Sequence, residues 1–422
     1  MEYTEALDFL NNTSWFASAP GTARVAELLE KLGNPQKGLK FVHIAGTNGK
    51  GSCAAMTAAV LKACGYRTGL YTSPYLYRFN ERMQINGKQI ENDALCAVVE
   101  KVKPLAEAME EKPTAFERMT ACALQWFSEE KCDIVVLEVG LGGLYDATNV
   151  IDSPEVSVIM NIGLDHTELL GDTPEKIAVE KAGIIKKGCP CVLYEQSESV
   201  MEVIRARCAE LDAPLTVADF SRIRSEWDTL EGQVFSYRDE PYAIPLLGGH
   251  QLKNAAVVLD AVSVLRSRGW KLEQSDVEHG LYSVSWPGRF ELLSDEPYFV
   301  VDGGHNPQCA VTVAENLVKY FPDSYRVLLV GVLADKDYTS LLDILAPAAD
   351  EFVCITPSNR RALPAEELAK ALEKYGKLTT VCDSIPDGVA AAQDAAREND
   401  GMVCAVGSLY SVGEIRACYN LF

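Results

Sequence analysis

Lys50 stands in a turn with three glycines, Gly46, Gly49 and Gly51, inside the stretch FVHIAGTNGKGS at positions 41–52. Glycines permit close approaches and backbone angles that a side chain would block. Successive N–H groups in such a turn can converge on a phosphate, and the N-terminus of a following helix adds partial positive charge. A lysine beside them reaches the outer phosphates of a nucleoside triphosphate. The spacing departs from the G-x-x-x-x-G-K-[ST] form. Gly46 lies only three residues before Gly49, and Gly51 occupies the position of the serine or threonine. Two readings stand on these residues, a phosphate-binding loop or an ordinary strand-to-helix turn.

Other polar residues interrupt apolar segments. Glu138 follows DIVVL and precedes VGLGG. A carboxylate there is costly unless it is paired, solvated or bound to metal. It either serves a metal or nucleotide or accepts N–H bonds from the glycine turn. His166, with Asp165 beside it in NIGLDHTELLG, is a metal or phosphate-oxygen partner or a structural loop histidine. Lys181, in IAVEKAGIIKK, has Val179, Ala182 and Ile185 around it, which makes it a candidate buried functional lysine; Lys186 and Lys187 read as a solvated end. In VVDGGHNPQCA, Asp302, His305 and Asn306 crowd the end of an apolar strand, as a ligand cluster or as a turn with a helix cap. GGHQLKNAAVVL sets His250, Gln251 and Asn254 at a helix start. Arg289 in WPGRFE forms ordinary salt bridges or clamps a phosphate.

The elements that must position these residues alternate between β-like and helix-like segments, the pattern of a mostly parallel sheet covered by helices. In an open sheet of that kind ligands gather outside the carboxyl ends of the strands. Expected strands are FVHIAG, RTGLYT, DIVVLEVG, VSVIMNI and PCVLYE, with helices over 116–130 and 174–185. The stretch 221–245 suggests a small antiparallel addition, followed by a helix over 252–268. A new alternation begins near Tyr298 with YFVVDGG, a helix over 309–320, then YRVLLVG and EFVCITP. The expected architecture is α/β, with an N-terminal P-loop-type domain over 1–287 and a smaller Rossmann-like α/β domain over 288–422. The boundary is drawn where WPG breaks both periodicities.

At 422 residues and 48% apolar, the chain can bury two cores. It has no apolar run of eighteen residues, so no membrane partner is expected, and its acidic start does not resemble a signal peptide. Sixty acidic against 39 basic residues, a formal charge of −21, disfavour a nucleic-acid partner. Thirteen cysteines without paired metal-site spacing read as reduced, mostly buried thiols of a cytoplasmic protein. A monomer is expected.

Taken in order, the motifs resemble those of the folylpolyglutamate synthase and dihydrofolate synthase family, Mur-ligase-like enzymes that form amides at the expense of ATP. The matching segments are HIAGTNGKGS (43–52), YTSPYLYRFNERMQING (71–87), LEVGLGGLYDATN (137–149), NIGLDHTELLG (161–171) and EKAGIIK (180–186). GGHQLKNAA (248–256), PGRFE (287–291), DGGHNP (302–307) and GVLADKD (331–337) complete the series. The chain has SPY where the family shows SPH, which touches the folate contacts, and DGGHNP for DGAHNP.

The resemblance implies that Thr47, Asn48, Gly49, Lys50, Gly51 and Ser52 hold the ATP phosphates. It implies that Ser73, Glu138 and His166 help bind two Mg²⁺ ions, and that Lys181 is carbamylated and becomes an anionic oxygen ligand. Asn254, Arg289 and Asp302 match nucleotide-contacting positions. Ser73, Pro74, Tyr75, Arg82 and Asp146 match the folate side, and His305 lies at the amino-acid site. The implied substrates are a reduced folate, or dihydropteroate, and L-glutamate. The γ-phosphoryl of ATP would pass to a carboxylate, and the amine of glutamate would displace the phosphate. Closure of the C-terminal domain would keep water from the acyl phosphate. A nucleotide-dependent switch would bind ATP without making a bond, and a peptidoglycan-building Mur ligase would need a UDP-muramoyl substrate.

Overall fold

The computed structural model describes residues 1–14 and 21–421. The chain divides into two compact units. The first comprises Met1–Arg224, Phe235–Ala243 and Gln251–Val284; the second comprises Ser225–Val234, Ile244–His250 and Ser285–Phe422.

The first unit is built on eight strands: β1 (Phe41–Ala45), β2 (Thr68–Tyr71), β3 (Met83–Ile85), β4 (Lys88–Gln89), β5 (Ile134–Glu138), β6 (Val156–Ile159), β7 (Cys191–Leu193) and β8 (Leu215–Val217). Their order is β4-β3-β2-β5-β1-β6-β7-β8. The six strands from β2 to β8 are parallel, and β3 and β4 add an antiparallel edge. Strands β1, β5 and β6 are buried along their whole length. Helices cover both faces of such strands, so their residues read as unbroken apolar runs rather than alternating ones. One face carries a core that includes Leu28, Val99, Leu124 and Phe127, and a second core gathers Ile159, Ile177, Leu193 and Ile204.

Helix Lys50–Ala63 leaves the glycine turn and packs beneath helix Gln274–Tyr282. Gly280 makes that crossing close: a Cβ there would lie 2.5 Å from Val60 Cα and 3.0 Å from the Ala59 carbonyl oxygen. Both are backbone atoms, so no side chain can swing aside. Gly280→Ala is therefore expected to destabilise the protein by about 1–3 kcal/mol, read as a lower midpoint in urea denaturation. An unchanged midpoint would contradict the tight crossing.

Strands β9 (Ile223–Thr229), β10 (Gly232–Tyr237) and β11 (Glu240–Ile244) form a separate antiparallel meander in the order β11-β10-β9. The second unit holds β12 (Glu291–Asp295), β13 (Tyr298–Val301), β14 (Arg326–Val330), β15 (Glu351–Cys354), β16 (Leu378–Val381) and β17 (Met402–Val406). Their order is β12-β13-β17-β14-β15-β16, parallel except for the edge strand β12. Its core includes Val300, Leu317, Leu328, Phe352 and Cys404. Earlier segments complete this unit. Asp228 accepts hydrogen bonds from Tyr320 Oη (2.5 Å) and from Lys319 Nζ, the Tyr320 hydroxyl oxygen accepts the Gly248 N–H (3.0 Å), and Gln233 Nε2 donates to Leu246 O (2.6 Å).

Candidate active site

In the first unit the glycine turn leaves the carboxyl end of β1 in the middle of the sheet. Gly49 has φ +84°, which suits glycine, and a Cβ there would stand 2.8 Å from Asn254 Oδ1. Thr47 ties the turn to the segment after β6: its N–H donates to Asn161 O (2.7 Å), and its hydroxyl donates to Gly163 O (3.0 Å). Ser52 is buried at the start of helix Lys50–Ala63, where Gln251 Nε2 donates to its Oγ (3.3 Å). Asn254 Nδ2 donates in turn to Gln251 Oε1 (3.0 Å), so helix Gly249–Ser267 presents two amides to the turn. The leading N–H groups of helix Lys50–Ala63 have no intrahelical acceptors, a disposition that favours an anion.

Two lysine amino groups meet on one backbone oxygen. Lys50 Nζ donates to Gly46 O (2.9 Å) and to Thr47 O (3.1 Å). Lys181 Nζ donates to the same Gly46 O (2.9 Å) from helix Pro174–Ala182. Lys181 is only 3% exposed. Burial, with the positive charge of Lys50 added, lowers its pKa to about 7. A polyanion with hard oxygens is the ligand that would relieve this concentration of positive charge.

Glu138 ends β5, 4% exposed, and its Oε2 accepts the N–H of Ser73 (3.0 Å) in the segment after β2. The two ends of adjacent parallel strands thus place a carboxylate beside the Ser73–Pro74 loop. In that loop Tyr75 and Phe79 flank Arg82, whose guanidinium carbon lies 5.1 Å and 5.7 Å from the two ring centroids. Arg82 is itself buried, where a cation–π contact is worth more than at the surface.

His166 has φ +50° and heads the short helix Thr167–Leu170. Its backbone N–H donates to Asp165 Oδ1 (2.9 Å), and its Nε2 lies 3.9 Å from that oxygen. The imidazole is 40% exposed. Asp146 is buried and spends its carboxylate locally. Oδ2 accepts the Leu141 N–H (2.9 Å), and Oδ1 accepts both the N–H (2.9 Å) and the hydroxyl of Thr148. Burial raises its pKa against these bonds. Its carboxylate clamps the 140–144 turn.

In the second unit Asp302 follows β13. Its carboxylate accepts N–H bonds from Phe290 (2.8 Å) and Gly304 (2.6 Å), and burial raises its pKa while the Arg289 charge opposes the shift. Arg289 Nη1 donates to Gly288 O (3.2 Å). His305 Nδ1–H donates to Gly303 O (3.1 Å), since a carbonyl can only accept, and that fixes the ring orientation. Asn306 caps helix Pro307–Tyr320 by accepting the Cys309 N–H (3.0 Å).

Residues 44–262 match the Mur ligase middle domain, and residues 288–409 match the Mur ligase glutamate ligase domain. A dihydrofolate synthase/folylpolyglutamate synthase of Bacillus subtilis is 35% identical to this chain over 98% of both. The chain belongs to the folylpolyglutamate synthase/dihydrofolate synthase family of Mur ligases. Among solved members of that family, the Mycobacterium tuberculosis folylpolyglutamate synthase complexed with ADP superposes with a TM-score of 0.91 at 32% identity, over 99% of this chain and 98% of that one. Escherichia coli FolC in complex with DHPP and ADP gives 0.87 at 30% identity, over 100% and 98%.

Within this Mur ligase, Thr47, Lys50, Ser52, Glu138, Ser73, Lys181 and Asn254 all stand at or beside the carboxyl edge of the first sheet. Arg289, Asp302 and His305 form their own group in the second unit. Gln251, placed by the sequence at the helix start without a role of its own, lies three positions before Asn254 on one helix face and links it to Ser52.

Proposed function

We propose that the protein adds L-glutamate to the γ-carboxylate of a reduced folate, consuming ATP and releasing ADP and phosphate. The observation that carries this reading is the Lys50 amino group held over the glycine turn by Gly46 O and Thr47 O, with the buried amine of Lys181, the group to be carbamylated, beside it on Gly46 O. That arrangement suits the β- and γ-phosphates of ATP. The folate carboxylate attacks the γ-phosphorus, ADP leaves, and the resulting acyl phosphate is attacked by the glutamate amine. The amine loses a proton and inorganic phosphate departs, leaving the amide. Thr47, Asn48, Gly49, Lys50, Gly51 and Ser52 hold the phosphates, and Asn254, Arg289 and Asp302 serve the nucleotide. Pro74, Tyr75 and Arg82 face the folate, Asp146 orders the turn on the folate side, and His305 receives the incoming glutamate.

The donor set suits magnesium. That ion takes one or two carboxylates and fills its octahedron with phosphate and water oxygens. Among the described residues no three His, Cys, Asp or Glu side chains form a complete metal cage. Ser73, Glu138, His166 and a carbamylated Lys181 would hold two Mg²⁺ ions. When bound, the ions offset negative charge on the phosphoryl group. A lysine brought to a pKa of about 7 by burial offers the neutral amine that carbamylation by CO₂ requires. The thirteen cysteines are free, and no described helix is long and apolar enough to cross a membrane. Both facts fit our reading of a cytoplasmic enzyme, which we take to be monomeric.

The test is product mass. With tetrahydrofolate, ATP, Mg²⁺ and glutamate, the folate is expected to gain single glutamyl units with one ADP each. Release of AMP, or no amide from any folate or pteroate, would refute the assignment. The Bacillus subtilis relative bears both synthase names. This motivates a second reading in which dihydropteroate is also an acceptor, decided by side-by-side turnover of the two acceptors.

A further inference from the structure

His43 is an imidazole in the middle of β1, fully buried in a run of otherwise apolar side chains. Burying a polar ring costs free energy unless its nitrogens are satisfied, and a valine or leucine would fill the strand without that cost. Among the described residues only one nitrogen of His43 is satisfied: Nε2 lies 2.9 Å from Thr148 Oγ1, whereas Nδ1 is buried with no hydrogen-bond partner there. The Thr148 hydroxyl hydrogen is committed to Asp146 Oδ1. The proton between His43 and Thr148 must then belong to the ring, as Nε2–H. Burial, helped by the charge of Lys186, lowers the His43 pKa to about 3, so the ring is neutral.

The chain of bonds continues beyond Asp146. The Asp146 carboxylate holds the 140–144 turn through the Leu141 N–H. That turn is fastened to the helix bearing Lys181, because the Leu144 N–H donates to Glu180 O (2.8 Å) and Asn149 Nδ2 bridges Leu144 O (3.0 Å) and Gly183 O (3.1 Å). We propose that His43 is a positioning residue for the ligase reaction: its Nε2–H, acting through Thr148, fixes the Asp146 carboxylate and with it the 140–144 turn to which the helix bearing Lys181 is fastened. The proposal rests on the reading of Lys181 and this turn as parts of the active site.

Three variants test it. His43→Leu removes the donor and keeps the bulk, His43→Gln offers an amide N–H near the Nε2 position, and Thr148→Val cuts the relay at the hydroxyl. His43→Leu and Thr148→Val are each expected to lower kcat about 10- to 100-fold, the cost of a small misplacement at the reacting centre, with the KM for ATP unchanged. His43→Gln should recover most of the loss. The double variant His43→Leu/Thr148→Val should be no worse than either single one. If His43→Leu does not fold, Thr148→Val carries the kinetic test alone. ¹⁵N-histidine NMR of the unmodified protein should show a neutral Nε2–H tautomer at His43. A normal kcat in Thr148→Val, additive losses in the double variant, no rescue by glutamine, or an Nδ1–H tautomer would overturn the proposal. Absence of ligase activity in the unmodified protein would instead overturn the proposed function on which it rests.

Discussion

Lys50→Ala is expected to lower turnover by at least about a hundredfold at saturating ATP, the scale seen when one preorganised charge-stabilising donor is removed. Among the described residues the lysine hydrogen-bonds to backbone oxygens of its own turn, Gly46 O and Thr47 O. It contributes no core packing, so stability should change by no more than about 0.5 kcal/mol. Steady-state kinetics beside a thermal melt separate the two effects. A folded Lys50→Ala protein with near-normal kcat would exclude the phosphate role. A large loss of stability would mean that the alanine variant had disturbed the turn itself.

Lys181→Ala is expected to be comparably impaired, by about 10- to 100-fold or more, and for a different reason. An unmodified ammonium would repel magnesium held near Glu138, whereas a carbamate supplies an anionic oxygen. A short carboxylate such as formate, added in solution, should restore part of the rate in Lys181→Ala and none in Lys50→Ala. At a pKa of about 7, half of the Lys181 amine is neutral at pH 7, against roughly one part in three thousand for an ordinary lysine. At fixed dissolved CO₂ the modified fraction of the unliganded enzyme should therefore grow as pH rises through 7. The same shift has a stability consequence. Between pH 7 and the ordinary lysine range, the unfolded chain keeps a proton that the folded chain has released, so this group's contribution to stability rises with pH across that window. Full activity after removal of CO₂, together with a bare ammonium at Lys181 by intact-protein mass, would refute the modification.

The strands that position the site were legible because each is buried on both faces and reads as an apolar run, as Phe41–Ala45, Ile134–Glu138 and Val156–Ile159 do. Strands β8, β12 and β16 escaped notice. They are three to five residues long and mostly partly exposed, so no apolar run marks them. The glycine turn announced itself through local spacing. Gln251, by contrast, meets Ser52 across 199 positions, and His43 meets Thr148 across 105, distances at which no local pattern reports contact. Asp146 was readable in part. An aspartate two residues before a threonine is a common local cap, and the Thr148 N–H bond to its carboxylate is that motif. The WPG interruption suggested a boundary at 287/288, whereas nothing in the sequence marked Ser225–Val234 and Ile244–His250, which cluster with the second unit. That clustering depends on Asp228 finding Tyr320.

That interleaving bears on how the chain leaves the ribosome. Asp228 emerges 92 residues before its partner Tyr320. At ordinary elongation rates the wait is on the order of 5 to 20 seconds. Throughout that interval Asp228 and the segment around Leu247, whose side chain belongs to the second core, lack the partners that the second unit supplies. Vectorial synthesis thus leaves a nascent patch that chaperones can recognise, and a messenger that pauses early in the 285–320 stretch would lengthen its exposure.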